Sequence, residues 1–417
     1  MIKVLELFAG IGACSKALEN LGIEHEIVDA VEIDKYAIAA FNAIHGTNFE
    51  PQDITKWDKD IECDLIMHGS PCQDFSIAGL QAGGDEGSGT RSSLMYETLR
   101  IVEKLRPKYV IWENVKNLLS QKHRHNFDAY LETMGKLGYC NFYQVLNAKD
   151  YGVPQNRERV FTVSILKGDL VPWPIMRMTF KFPPRRPLTR RLKDVLEDNV
   201  DEKYYLSDST LACFMADGTG KYPRRERFLQ NINRKNQNIG NSVTTRAGGR
   251  PTDNFVKEPF VVASRGRNPE NPSDRTTGAP TEQRLEPKFD GTTNTITTVQ
   301  KDNYVAIKTA NSKGYDWATD GDGVDLGYPD SKTRRGRVGH GVCQTLPTQC
   351  TQGVMDNYIV RKLTPRECFR LMGFDDKDFD ACVAANISNA QLYKIAGNSI
   401  VVDVLEHLLT NLLKGEL

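Results

Sequence analysis

At 417 residues, with 39% hydrophobic and 26% charged residues, the chain is long enough for two packed domains and too rich in apolar residues for wholesale disorder. Nine cysteines, an odd number without a Cys-x-x-Cys pair, argue against a disulfide framework and against a zinc site. The formal charge of zero divides unevenly: residues 171–350 hold 29 Lys+Arg against 21 Asp+Glu, while residues 1–170 hold 18 against 24, so a polyanion would meet the middle of the chain.

The chain opens on Val4–Phe8, a strand that enters a Gly-rich turn, and Glu6 interrupts its apolar run, so this is no signal peptide. Further strands are predicted at Ile27–Val31, Leu65–Met67, Tyr109–Trp112, Phe142–Leu146 and Val160–Ile165. Amphipathic stretches at Ser15–Leu21, Tyr36–Ile44, Ser93–Leu105 and Phe127–Leu137 alternate with them as helices. That alternation predicts an α/β class with a mostly parallel sheet covered by helices on both faces. Ligands of such sheets bind outside the carboxyl ends of the strands.

Near Trp173 a Pro- and Arg-rich stretch ends this regime, and residues 210 to 360 turn to Thr, Asn, Gly and Arg with short β-type segments. Three segments resemble one another at intervals of about 50 residues: Ser242–Thr245 leading to Asp253–Val256, Thr295–Thr298 leading to Asp302–Val305, and Thr345–Thr348 leading to Asp356–Ile359. Related hairpins are the simplest reading. Helical periodicity returns at Thr364–Leu371 and Ser399–Leu413; the latter carries Asp403, Glu406 and His407 and cannot span a bilayer. The expected organisation is a catalytic domain of residues 1–175 plus 361–417, with a smaller β-rich domain of residues 180–360 inserted. A cytoplasmic, monomeric protein without membrane or metal is expected.

The residues that carry chemistry cluster at predicted strand ends. Phe8-Ala9-Gly10-Ile11-Gly12 lets the backbone approach a ligand closely, or serves as a structural turn. Glu32, about 20 positions on, suits ribose hydroxyls or simple solvation. Asp53 suits an adenine amino group or a helix N-cap. Gly69-Ser70-Pro71-Cys72-Gln73 puts Cys72 at a strand end, a nucleophile's position, followed by a Gly-rich lid over 73–93. Glu113, at another carboxyl end, would be partly desolvated and able to hold a proton for a ring nitrogen, or else caps a helix or pairs with a cation. Arg157 and Arg159 would point the same way on an extended segment, toward a base carbonyl or a phosphate, or form a solvated edge.

Taken in order, FAGIG, GSPCQDFS, ENV, QNRER, RKLTPRECFRLMGF and AGNS resemble the motifs of the cytosine-C5 DNA methyltransferase family, bacterial or phage type, across about 240 residues. The resemblance implies a Rossmann-like methyltransferase sheet and S-adenosyl-L-methionine as cofactor. It implies double-stranded DNA as partner, a covalent Cys72 intermediate with a flipped cytosine, and a place in a restriction-modification system. It assigns Phe8, Gly10, Gly12, Glu32, Asp53, Pro71, Leu94 and Asn398 to the cofactor, and Cys72, Glu113, Arg157 and Arg159 to catalysis. Residues 180–360 would be the target recognition domain, where Thr345-Leu346 resembles a Thr-Leu pair often found there. Gln73 and Ser76 are candidates to fill the gap left by the flipped base. The rivals are a tRNA cytosine-C5 methyltransferase, disfavoured by the long middle region, and a catalytically silent DNA-binding protein, disfavoured by the intact Cys72, Glu113 and arginines.

Overall fold

The structure is a computed structural model that describes residues 1–71, 85, 87–167, 180–204, 261–267, 282–286, 303–312, 314–328, 331, 333–348, 351–356 and 359–414. The chain divides into two compact units. Unit 1 comprises Met1–Arg190, Thr345–Gln349 and Pro365–Leu417, and unit 2 comprises Arg191–Gln344 and Cys350–Thr364. The first unit is therefore longer than the expected 1–175, and it takes back a five-residue piece of the insertion.

Unit 1 is built on a six-stranded mixed sheet in the order β2-β1-β3-β4-β6-β5. Its strands are β1 (Ile2–Leu7), β2 (His25–Val31), β3 (Leu65–His68), β4 (Tyr109–Val115), β5 (Tyr139–Asn147) and β6 (Glu158–Leu166). The first four run parallel, whereas β6 lies antiparallel between β4 and β5. Helices α1 (Ala13–Asn20), α2 (Lys35–His45), α3 (Met95–Leu105) and α4 (Arg124–Lys136) connect them. Local chemistry sets several ends: Asp34 caps α2 by accepting from Tyr36 N at 2.9 Å, and Gly46 closes it at φ 65°. The main core gathers Leu5, Leu7, Ile66, Trp112, Phe127 and Tyr130, while Ala9, Ala30, Ile38 and Phe41 form a separate cluster.

The C-terminal part adds α5 (Pro365–Arg370), α6 (Asp376–Ala384), α7 (Asn389–Asn398) and α8 (Val402–Leu412). α1 packs on α8 and α2 on α6. Lys16 of α1, wholly buried, meets Asp375 at 3.1 Å and Asp378 at 3.0 Å at the start of α6. A buried ammonium is costly unless paired, so this contact fixes how the returning chain seats. No helix among the described residues is long and apolar enough to cross a membrane.

Unit 2 holds two antiparallel four-stranded sheets. One is β10 (Tyr315–Ala318), β9 (Asn303–Lys308), β7 (Val261–Arg267) and β8 (Glu282–Glu286) in that order. The other is β12 (Val338–Gly339), β11 (Gly323–Asp325), β13 (Gln352–Asp356) and β14 (Ile359–Lys362). Of the three similar segments, the first, 242–256, lies outside the described residues, as does Thr295–Thr298 of the second, which leads into β9; in the third Thr345–Thr348 forms no strand and Asp356 pairs with Ile359.

Candidate active site

Register across the parallel strands places the candidate residues on one edge. Leu7 pairs with Val31 and with His68, and His68 pairs with Trp112. One residue further along each strand stand Phe8, Glu32, Gly69 and Glu113, a row at the carboxyl edge of the sheet. Because β6 is antiparallel, its beginning reaches the same edge, where Arg159 is opposite Val115.

The turn after β1 is wound through left-handed conformations at Phe8 (φ 52°), Gly10 (φ 58°) and Gly12 (φ 79°). The two glycines serve different ends. A Cβ on Gly12 would lie 2.1 Å from His45 Nε2, whereas one on Gly10 would meet nothing within 4 Å. Gly12 is thus demanded by packing against α2, and Gly10 leaves open space for a ligand. Helix α1 has no side-chain cap at Gly12, and Glu6 supplies one from the strand: its Oε1 accepts from Ser15 N at 2.9 Å and from the Ser15 hydroxyl at 2.5 Å. Burial pushes the Glu6 carboxyl up to about 7 against the pull of those bonds.

Glu32 accepts from Gly10 N at 3.1 Å through one oxygen and from Asp34 N at 2.8 Å through the other, with Ile33 N as a further donor. A carboxylate has about four lone-pair sites, which leaves acceptor capacity for a hydroxyl donor. Burial raises this carboxyl's pKa, with those N–H groups working in opposition. Beside it Ile33 is 70% exposed, an apolar side chain with no core to enter. Asp53 caps the short turn Ile54–Lys56 through Oδ1, accepting from Thr55 N at 3.0 Å and the Thr55 hydroxyl at 2.9 Å, and these bonds hold its carboxyl below the ordinary range. Phe8 and Leu94 are partly buried and pack against the main core.

After β3 the backbone at Ser70 is pinned from β4. Trp112 Nε1 donates to Ser70 Oγ at 3.0 Å, and Asn114 Nδ2 donates to Ser70 O at 3.2 Å. Trp112 is itself stacked on the buried His68 ring, with centroids 5.7 Å apart, and His68 Nε2 lies 3.0 Å from the Tyr130 hydroxyl. Burial depresses the His68 pKa to about 3, so the ring is neutral. Pro71 is the last described residue of this run. Cys72, Gln73, Ser76 and lid residues 73–84 and 86 lie outside the described residues, while Asp85 Oδ1 is 2.7 Å from His125 Nε2 at α4.

Glu113 is 8% exposed. Its Oε2 lies 3.8 Å from where a Gly69 Cβ would stand, within van der Waals contact of that backbone. Its Oε1 lies 2.9 Å from Arg159 Nε but accepts no hydrogen bond among the described residues. The two arginines diverge, contrary to the extended-strand expectation, because Arg157 N donates back to Gln155 O at 3.1 Å and breaks the alternation. Arg159 turns to Glu113. Arg157, 4% exposed, donates instead to the carbonyls of Leu346 (3.4 Å), Gly397 (3.3 Å) and Ser399 (2.9 Å). Between the last two stands Asn398, exposed at the end of α7.

Over residues 2–414 the chain matches the family model described as C-5 cytosine-specific DNA methylase. The chain belongs to that family. The orphan methyltransferase M.SPRI of Bacillus phage SPR is 32% identical over 99% of this chain and 97% of its own length. The type II methyltransferase M2.ScrFI of Lactococcus lactis subsp. cremoris is 29% identical with full coverage of both. Among solved structures, a Spodoptera frugiperda DNMT2 mutant superposes at a TM-score of 0.55 with 17% identity, covering 99% of this chain and 100% of that one. At that identity it speaks for the fold alone.

Several residues of the edge are not evident from the sequence alone. Trp112 and Asn114 act on Ser70 through bonds that only the β3–β4 register reveals. Ile33 was signalled in the sequence by an apolar residue directly after Glu32, where a strand should have ended. Glu6 breaks an apolar run in the sequence, and a carboxylate on the strand that leads into a helix with no capping side chain can act as a substitute cap. The edge as a whole offers an open glycine turn, a carboxylate with spare acceptors and a buried carboxylate–guanidinium pair. Such a set suits a nucleoside-bearing ligand on one side and a polar planar ring on the other.

Proposed function

We propose that the chain transfers a methyl group from S-adenosyl-L-methionine to carbon 5 of a cytosine flipped out of double-stranded DNA, through a transient bond from Cys72 to carbon 6. The observation that carries this reading is the Glu113–Arg159 pair beside Gly69, three residues before Cys72 in the chain. The names of the relatives, orphan and type II methyltransferases, support it.

The residues present fit the cofactor. Gly10 leaves an open cradle, Glu32 has acceptors to spare for ribose hydroxyls, and Ile33 would cover an adenine face. Phe8, Gly12, Asp53, Pro71, Leu94 and Asn398 would complete the pocket. When bound, S-adenosyl-L-methionine supplies a sulfonium methyl as electrophile. On the protein side, the Cys72 thiolate adds to carbon 6 of the base, which makes carbon 5 nucleophilic. Glu113 would meet the N3 edge and, having first taken up a proton, donate it there as negative charge develops, while Arg159 beside it stabilises the O2 side. After carbon 5 is methylated, loss of its proton to a base and elimination of Cys72 restore the ring. The reacting faces are covered within a duplex, so the cytosine must leave the stack. Unit 2, with its excess of basic residues, would read the target sequence.

Duplex DNA carrying 5-fluorocytosine should trap a covalent adduct, because fluorine blocks the final proton loss. The adduct should map to Cys72 and vanish in Cys72→Ser. An adduct that persists in that variant refutes the nucleophile, and methylation of tRNA in preference to duplex DNA refutes the substrate.

A further inference from the structure

Arg157 has the spacing of two that would put it on one face with Arg159, yet it serves another part of the unit. Its guanidinium is buried and holds three backbone carbonyls from two segments far apart in sequence, Leu346 on one side and Gly397 and Ser399 on the other. An independent contact joins the same two segments: a Cβ on Gly397 would lie 2.4 Å from the carbonyl oxygen of Pro347, so only glycine permits the approach. The Thr345–Pro347 run is further held by Gln155, whose Oε1 accepts from Leu346 N at 3.3 Å, and by the Thr345 hydroxyl, which donates to Asn156 O at 3.1 Å. Gln155 Nε2 also donates to Leu371 O at 2.8 Å.

We propose that Arg157 is a positioning residue that locks the Thr345–Pro347 run to the Gly397–Ser399 turn and thereby sets how Asn398 meets the methyl donor, instead of touching the flipped base. A planar guanidinium has five donors in a fixed fork, so three carbonyls can be held at once; a lysine ammonium cannot reproduce that geometry. The Thr345–Pro347 run continues directly from Gln344, the last residue of unit 2 before it. Whatever orders that run orders the turn carrying Asn398 through the same cation. This rests on the reading of Asn398 as a cofactor contact, and it implies reciprocal coupling between DNA and methyl-donor binding.

The test separates the two arginines. Arg157→Lys should raise the KM for S-adenosyl-L-methionine about tenfold or more, from loss of charged hydrogen bonds, and leave kcat at saturation within about threefold. Arg159→Lys should lower kcat with that KM unchanged. Calorimetry with S-adenosyl-L-methionine alone should show the same weakening in Arg157→Lys, which does not depend on the methyl acceptor and so survives a wrong substrate assignment. A fall in kcat at unchanged KM in Arg157→Lys overturns the proposal. Should that variant fail to fold, hydrogen exchange on the wild type decides: duplex DNA alone should increase protection of amides at 345–348 and 396–399 together, and unchanged protection at 396–399 overturns it.

Discussion

Replacing Glu6 by Gln should change how stability depends on pH, by an amount that follows from the structure. Glu6 is 3% exposed, and its carboxyl is raised by burial from 4.5 to about 7. The folded protein therefore holds this proton more tightly than the unfolded chain. Stability from this group is fully present below pH 4.5 and falls as the pH rises toward 7. A gap of about 2.5 units at 1.36 kcal/mol per unit amounts to about 3 kcal/mol. Glutamine keeps an acceptor for both bonds from Ser15, which converge on Oε1, and has nothing to ionise. Urea unfolding of both proteins from pH 4.5 to 8.5 isolates the effect. The constant offset between them contains whatever the amide hydrogens cost, and only its pH-dependent part tests the reasoning. Glu6→Gln should gain about 3 kcal/mol on the wild type across that range. A difference that stays flat would refute the reasoning, because it would show that the cap bonds offset the whole cost of burying the charged carboxyl.

Opposite behaviour is expected at His68, whose pKa is depressed from 6.5 to about 3 by burial. Its contribution is present above pH 6.5 and declines as the pH falls toward 3, so relative to His68→Phe the wild type should lose about 2 kcal/mol between pH 6.5 and 5, measured by the same melts. Gly12→Ala and Gly10→Ala should part company. The first adds a strained backbone to a collision with His45 and should cost about 3 kcal/mol or more in unfolding. The second should cost about 1 kcal/mol in stability while weakening S-adenosyl-L-methionine in calorimetry; equal affinities would mean that the space beside Gly10 is not the cofactor's. Trp112→Phe keeps a ring against His68 and Tyr130 but loses the donor to Ser70, and should slow single-turnover methyl transfer at a stability cost of about 1–2 kcal/mol. Unchanged transfer would show that Ser70 needs only Asn114.

The α/β alternation of unit 1 was legible because each strand is a short apolar run bounded by turn residues, and that signal is local. The antiparallel insertion of β6 between β4 and β5 is not local. Nothing in Glu158–Leu166 by itself says which neighbour it takes or in which direction. Helices α6 and α7 were missed for another reason. Their turns carry many polar residues, and they are held by ion pairs to distant partners, as Lys394 is to Asp34 at 2.6 Å, so apolar periodicity is weak. The basic excess of the middle region also overstates what a polyanion would meet. Arg337 is 1% exposed and donates to the carbonyls of Asp325 and Gly327.

The arginine pair shows most clearly where sequence reasoning stops. Spacing of two on an extended segment predicts a common direction, and the prediction fails because a single backbone bond, Arg157 N to Gln155 O, bends the chain just before β6 begins. From that bend the two cations part: Arg159 joins a buried carboxylate at the sheet edge, and Arg157 enters a cluster of carbonyls where no carboxylate is needed. A guanidinium in such a place offsets part of its desolvation by donating to fixed dipoles through both terminal nitrogens. Residue type therefore named side chains that gather at the edge, while the directions taken by two identical side chains were decided by one turn of backbone.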